Sequence, residues 1–195
     1  MFRLTRRLIR IVLFLFYRVT VTGLENIPQT GAAVICANHT FYKDLIVIGG
    51  QSKRRIRWFA KAELFRNPLV ARFLNSLGAF PVNRGEADRN AIKAVYEVLK
   101  KGELLGIFPE GTRVKNQTER IEVKRGFVSF AANANVPIIP VAVSYQGGPF
   151  GRGKLFSRIQ VTICKRVDFD SEHKYKNNEL VELSNKIMDD IYNEV

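Results

Sequence analysis

Ala32-Ala33-Val34-Ile35-Cys36-Ala37 is an unbroken apolar run, and it empties at once into Asn38-His39-Thr40-Phe41-Tyr42-Lys43-Asp44. A run this short and this apolar reads as a strand buried on both faces, the kind found inside a parallel sheet. The turn after it places a His at the strand's end, with an Asp five residues on. That carboxylate is close enough to orient the imidazole and to stabilise its charged form, the requirement for a general base acting on a hydroxyl. The chain has only two histidines, His39 and His173, so imidazole chemistry has few places to be. Taken alone, His-x4-Asp arises by chance, and a histidine satisfied by its neighbour is the plainer reading.

On either side of this stretch, strand and helix patterns alternate. Val19–Gly23 reads as a short strand or extended lead-in and 23–31 as a loop. Asp44 begins a helix running to about Gly49. Lys53-Arg54-Arg55-Ile56-Arg57 reads as a basic loop whose charges are mostly solvated. Arg57–Ala60 and 79–82 are further strands. Asn67 is a good cap for a helix to Leu77, with Pro68 at its first position. Asp88–Lys101 is an amphipathic helix closed by Lys100, Lys101 and Gly102. Leu104–Phe108 is a buried strand and Gly126–Asn135 a helix. Val136–Tyr145 is a strand whose Pro137 and Pro140 suggest an edge position. Ile159–Cys164 alternates as a strand. A closing helix, Asn177–Tyr192, is capped by Asn177 or Asn178. The order implies an α/β fold: a single domain with a mostly parallel mixed sheet flanked by helices.

Met1–Val19 precedes this core. Leu4, Leu8, Ile11, Val12 and Leu15 mark one helical face, and most of Arg3, Arg6, Arg7, Arg10 and Arg18 fall elsewhere. The uninterrupted apolar run Ile11–Phe16 is far short of the roughly 20 residues a transmembrane helix needs. No small-residue cleavage site appears before Gly23, against a signal peptide. The pattern favours an amphipathic helix lying in an anionic membrane surface. The alternative is a core-packing helix with a solvated basic face. The division is therefore residues 1–19 as an interfacial helix and 20–195 as the catalytic domain.

The bulk properties agree with a globular domain: 195 residues, 46% hydrophobic, 11% aromatic. Lys plus Arg number 31 against 18 Asp plus Glu, a net charge of +13. That excess favours encounter with anionic partners: phosphorylated substrates, acidic carrier proteins, anionic lipid surfaces or nucleic acid. Cys36 and Cys164 lack metal-ligand spacing and read as small buried residues in a reducing compartment.

Four segments at strand ends carry unusual polar content: Asn38-His39-x4-Asp44, Gly78–Arg84, Phe108-Pro109-Glu110-Gly111-Thr112-Arg113 and Val136–Tyr145. In an open α/β sheet, ligands bind at the carboxyl ends of strands, so His39, Arg84 and Arg113 can share one cleft. A Gly beside an Arg admits an anion to backbone N–H groups while the guanidinium bonds it in bidentate fashion. Read singly, Arg84 is a surface or capping residue, and Glu110 with Arg113 a local salt bridge worth little. A Walker A loop is absent, so nucleoside-triphosphate chemistry is unsupported.

Together these blocks, in order from about Val21 to Cys164, resemble the glycerolipid acyltransferase family, in particular its bacterial 1-acyl-glycerol-3-phosphate acyltransferases. Asn38-His39-x4-Asp44 is similar to the family's catalytic block. Gly78–Arg84 is similar to the second, whose Arg is linked to glycerol phosphate; Phe108–Arg113 to the third; and Val136–Tyr145 to the Pro-centred fourth. Lys61 and Lys124 fall where the family places basic residues near the phosphate. Val114 departs from the pattern, standing where a Ser is frequent.

The resemblance implies acyl transfer from a thioester to the sn-2 hydroxyl of a 1-acyl-glycerol-3-phosphate, giving phosphatidic acid. It implies His39 as base, Asp44 as its orienting carboxylate, and Lys61, Arg84, Glu110, Gly111, Thr112, Arg113 and Lys124 around the phosphate and glycerol. Backbone N–H groups from Val82 to Arg84 are placed as oxyanion donors. It implies no cofactor and no metal; acyl-CoA or acyl-acyl-carrier-protein is the donor substrate and membrane lipid the acceptor, at the cytoplasmic face of the membrane. Glycerol-3-phosphate or another lysolipid is an alternative acceptor. A basic membrane-surface or nucleic-acid-binding module is the reading outside enzymes, though the aromatics, such as Phe14, Tyr96 and Phe127, fall at apolar-periodic positions rather than among the charges.

Overall fold

The computed structural model describes residues 2–82, 89–114, 116 and 119–195. In chain order its elements are α1 (Phe2–Phe16), β1 (Arg18–Thr22), β2 (Ala33–Ala37), α2 (Asp44–Gln51), β3 (Ile56–Lys61), α3 (Pro68–Leu77), β4 (Phe80–Val82), α4 (Arg89–Lys100), β5 (Leu104–Ile107), α5 (Gly126–Ala134), β6 (Ile138–Gln146), β7 (Arg158–Ile163) and α6 (Asn177–Asn193). The sheet order is β1-β7-β6-β2-β5-β3-β4. Every neighbouring pair is parallel except β6 with β7. The expected mostly parallel mixed sheet is what forms.

β2 lies at the centre and all five of its residues are buried, as its unbroken apolar sequence requires. Its side chains alternate between two layers. Ala33, Ile35 and Ala37 join Ile9, Leu13, Val47, Ile48, Leu74 and Leu77 of α1–α3. Val34 and Cys36 join residues of α4, α5 and α6, among them Val95, Phe127, Ile187 and Met188. Trp58 of β3 lies across β5 because Gly106 stands opposite it. A Cβ at Gly106 would come within 2.4 Å of the indole.

Three expectations change. The strand with two prolines is interior, between β7 and β2, not at an edge. Within a strand, a residue's N–H and C=O point to the same neighbour. The Pro140 carbonyl accepts from Cys164 N–H just past the end of β7, so the missing N–H falls where that ladder stops; Pro137 precedes the strand. The basic stretch 53–57 is not mainly solvated. Arg54 donates to the Pro28 and Gly102 carbonyls and Arg55 to that of Asn75, and Ile56 and Arg57 lie in β3. The cap of α6 is Lys176, whose N–H donates to Glu179 Oε2 at 2.7 Å, not Asn177 or Asn178. The Asn67 cap does form: its Oδ1 accepts from Leu69 and Val70 N–H. Both cysteines are free; Cys36 is buried and Cys164 only half-buried.

α1 rests on the body through Ile9 and Leu13. Leu4, Leu8, Ile11 and Leu15 are offset from that stripe by two residues, about 200° round the helix, and all are exposed, as is Val12. The apolar face legible in the sequence therefore points outward. Arg3, Arg7 and Arg10 are exposed along the flank between the two stripes, and Arg6 faces the body, reaching the Gln51 carbonyl. Among the described residues, no helix is long and apolar enough to cross a membrane. Arg18 and Val19 belong to β1 and so to the sheet of the main domain.

Candidate active site

Strands β2 to β6 run the same way, so their carboxyl ends share one edge of the sheet. His39 follows β2, Lys61 ends β3, Val82 ends β4 and Phe108–Arg113 follow β5. Parallel topology thus gathers segments separated by up to 74 positions in sequence (39 to 113).

Asn38 fixes the end of β2. Its amide donates to the Val143 carbonyl at 2.9 Å and accepts from the Val143 N–H at 2.8 Å, continuing the β2–β6 ladder with a side chain. The chain then turns and Asp44 opens α2, where a carboxylate suits the positive end of the helix dipole. Asp44 is buried and accepts four hydrogen bonds. Oδ2 receives His39 Nδ1 at 2.9 Å, Thr40 N–H at 2.7 Å and Phe41 N–H at 2.8 Å; Oδ1 receives the Tyr145 hydroxyl at 2.5 Å. An ionised carboxylate only accepts, so Nδ1 must carry the ring proton. In the neutral imidazole the lone pair then sits on Nε2, the atom free to take a proton. Burial beside Asp44 pushes the Tyr145 phenol far above its usual range, so it stays a donor.

The ring itself is clamped. His39 stacks on Phe108 with centroids 4.1 Å apart, and Phe108 stacks on Trp58 at 4.8 Å, so three planes run from the core to the site. The His39 backbone is held by the third block: Val114 N–H donates to its carbonyl at 2.8 Å, and its N–H donates to Glu110 Oε2 at 2.6 Å. Glu110 Oε1 accepts from the Tyr192 hydroxyl of α6 at 2.8 Å. Both oxygens of Glu110 are thus engaged by the chain, and its side chain is turned from the cavity toward the His39 backbone.

Burial drives the Glu110 carboxyl up to about 7, against the two hydrogen bonds that favour its charge. The sign follows from linkage. The folded state holds this proton more tightly than the unfolded chain, so the stability contributed falls as pH rises from the ordinary carboxyl range toward 7. Glu110→Gln keeps both bonds if its Oε1 faces His39 N–H and its amide donates to Tyr192. Between about pH 5 and pH 8, urea unfolding is expected to shift in favour of Glu110→Gln by roughly 2 kcal/mol. A stability difference independent of pH would show that the carboxyl ionises in its ordinary range.

His39 opens on a cavity of about 580 Å³, within the range of small-molecule sites. Its walls are apolar, with Leu45, Phe59, Leu64, Ile92, Phe127 and Phe130. Its polar part carries Lys61, Gly111, Thr112, Arg113 and Lys124 beside His39. The Arg113 guanidinium lies 3.4 Å from the centre of the Tyr42 ring, and its Nη2 donates to the Tyr42 hydroxyl at 2.7 Å. Lys61 pairs with Glu63 at 3.1 Å, both half exposed. No described carboxylate pairs with Arg113 or Lys124. Of the residues singled out from sequence, His39, Lys61, Gly111, Thr112, Arg113 and Lys124 meet here, with Asp44 behind His39. Val82 lines the cavity, whereas Asn83 and Arg84 lie outside the described residues. Tyr145, Tyr192, Phe108 and Tyr42 were given no individual role. A phenol at an inward position of β6, in step with Val143, needs a polar partner, which was the available signal for Tyr145. Nothing local pointed to Tyr192.

The model of the acyltransferase family matches residues 18–144. The chain is similar to the 1-acyl-sn-glycerol-3-phosphate acyltransferase of Bacillus subtilis, with 36% identity over 159 residues, 81% of this chain and 77% of that one. It is 31% identical over 160 residues to the protein of the same name from Borreliella burgdorferi, covering 80% of this chain and 63% of the relative. The crystal structure of the 1-acyl-sn-glycerophosphate (LPA) acyltransferase PlsC from Thermotoga maritima matches in fold. Its TM-score is 0.75 at 22% identity, over all of this chain and 79% of that one.

Proposed function

The chain belongs to the acyltransferase family, and on that premise we propose that it acylates the sn-2 hydroxyl of 1-acyl-sn-glycerol-3-phosphate, forming phosphatidic acid. One observation carries this reading: the His39 imidazole, held through Nδ1 by Asp44, opens on the same cavity as Arg113 and Lys124. A base beside cations that no described carboxylate neutralises suits an acceptor that carries both a hydroxyl and a phosphate. The apolar walls suit its acyl chain or the one being transferred.

In the proposed step, His39 Nε2 takes the hydroxyl proton as that oxygen attacks the thioester carbonyl. The new C–O bond forms, the C–S bond breaks, and the departing thiolate takes the proton back from the imidazolium. Asp44 stabilises the transient positive charge. No Ser or Cys nucleophile enters, and the reaction calls on no cofactor or metal. Arg113 and Lys124, with Lys61 and Arg84, hold the phosphate. Glu110 serves by holding the His39 backbone. Acyl carrier protein is acidic and coenzyme A carries phosphates, so either donor suits the basic chain. The outward apolar face of α1, flanked by Arg3, Arg7 and Arg10, supports a place on the cytoplasmic face of the membrane as an interfacial helix.

The test is transfer from each thioester to lysophosphatidic acid in vesicles, with phosphatidic acid followed by mass spectrometry. Product is expected, and the better thioester identifies the donor. Turnover of glycerol-3-phosphate or a zwitterionic lysolipid in its place would reassign the acceptor. Arg113→Ala is expected to raise the acceptor KM roughly tenfold to a hundredfold with little change in kcat, the scale of a lost charge-assisted bond. An unchanged KM would remove Arg113 from the phosphate site.

A further inference from the structure

We propose that the loop 147–157, between β6 and β7, is a second membrane-inserting element that seats the catalytic edge of the sheet against an anionic bilayer. This rests on the reading that the acceptor is a membrane lipid.

Phe150 is 58% exposed, and Leu155 and Phe156 are each 45% exposed. Phe150 and Phe156 lie with ring centroids 6.1 Å apart, and three large apolar side chains within seven positions of one loop form an exposed apolar cluster outside both core layers. They are not the tips of a loose segment. Phe156 has φ +61, a conformation that costs a non-glycine residue and persists only where the surroundings hold it. Here the Phe156 N–H donates to the Phe16 carbonyl at 2.7 Å, and Arg18 N–H donates to the Ser157 carbonyl. The buried Ser157 hydroxyl bonds to the carbonyls of Gly151 and Lys154 at 3.0 and 2.6 Å. The loop is built to hold its aromatic side chains outward.

Its place in the fold matters as much. β7 and β1 run opposite to β6, and Gln146 pairs with Arg158, which in turn pairs with Arg18. The loop and the carboxyl end of α1 therefore lie at the same sheet edge as His39 and the cavity. Arg18 and Arg158 are exposed neighbours across two strands, a like-charge pair that disfavours itself in water and is relieved by an anionic surface. Lys154 is exposed on the loop, and Phe14 and Phe16 are exposed at the end of α1 beside it. Basic residues interleaved with outward aromatics match an anionic lipid interface.

The loop also touches the catalytic turn. Lys43 donates to the Gly153 carbonyl and lies 4.4 Å from the centre of the Tyr17 ring. Gly153 packs so closely on the Phe41 ring that a Cβ would come within 2.3 Å of it. Phe41 and Lys43 lie between His39 and Asp44. A loop pressed onto lipid would thus brace the turn that holds the base.

The experiment uses the full chain with vesicles of phosphatidylcholine containing phosphatidylglycerol. The chain's only tryptophan, Trp58, is buried, so an indole placed by F150W reports on the loop. On vesicle addition the F150W emission is expected to shift to the blue and to be quenched by brominated acyl chains. In flotation the F150S/L155S protein is expected to bind these vesicles about tenfold more weakly or worse. Its transfer to a short-chain lysophosphatidic acid dissolved as monomers is expected to match that of the parent. An F150W indole that stays solvated while the protein floats with vesicles would overturn the proposal, as would unchanged binding by F150S/L155S or no vesicle binding at all. Failure of the parent protein to acylate the soluble acceptor would instead count against the proposed function, and the F150W signal would still decide the loop.

Discussion

His39→Ala is expected to leave a folded protein that transfers no measurable acyl group, with turnover lowered about a thousandfold or more. The size of the loss follows from what remains. The cavity, its cations and the Asp44 carboxylate stay in place, but the hydroxyl loses the imidazole that would take its proton. His173, the other histidine, is exposed and engaged with Glu179 on the far side of the chain's sequence from this turn. The fold should survive because the turn does not hang on the imidazole. Asn38 still bonds Val143, and Asp44 still accepts from Thr40, Phe41 and Tyr145. What the protein loses is the stack on Phe108 and one of the four hydrogen bonds to Asp44, together on the order of 2 kcal/mol and several degrees in melting temperature. Thermal melts by circular dichroism beside the acyl-transfer assay check both halves. Activity within tenfold of the parent, in a folded variant, would remove His39 as the base.

The parts of this molecule legible in its sequence are those written in short, periodic stretches. The run Ala32–Ala37 has no polar position, and a strand buried on both faces tolerates none, so β2 and its central place follow directly. His39 and Asp44 are five residues apart on one turn, a distance that local geometry settles. The parts not legible depend on which strand lies beside which. Pro140 looks like an edge signal until one knows that its N side meets the end of β7. Arg54 looks solvated until the carbonyls of Pro28 and Gly102 are placed next to it. Glu110 looked like a substrate ligand from its block, whereas its carboxylate is shared between the His39 N–H and a tyrosine 82 positions away. The helix α1 was legible in its apolar face but not in its docking stripe, because Ile9 and Leu13 acquire their meaning only from the helices they rest on.

Asp44 provides the sharpest separation between holding the turn and serving the chemistry. Four donors converge on its two oxygens. In Asp44→Asn, the amide oxygen can take the Oδ2 position and keep His39 Nδ1–H, Thr40 N–H and Phe41 N–H. The amide nitrogen then faces Tyr145, whose hydroxyl can turn to accept, so each group keeps a partner. The turn should persist, yet the negative charge that stabilises the imidazolium is gone. Turnover is expected to fall roughly a hundredfold to ten-thousandfold with a melting temperature near that of the parent. Asp44→Ala is a different experiment. It strands the Thr40 and Phe41 N–H groups, at about 1–3 kcal/mol for each unsatisfied group, so the turn and the start of α2 should loosen and the melting temperature should drop by many degrees. If both variants lost activity only in step with stability, Asp44 would be a structural residue of the turn and nothing more. If Asp44→Asn were stable and inactive, the charge itself, not the scaffold it anchors, is what His39 needs to act.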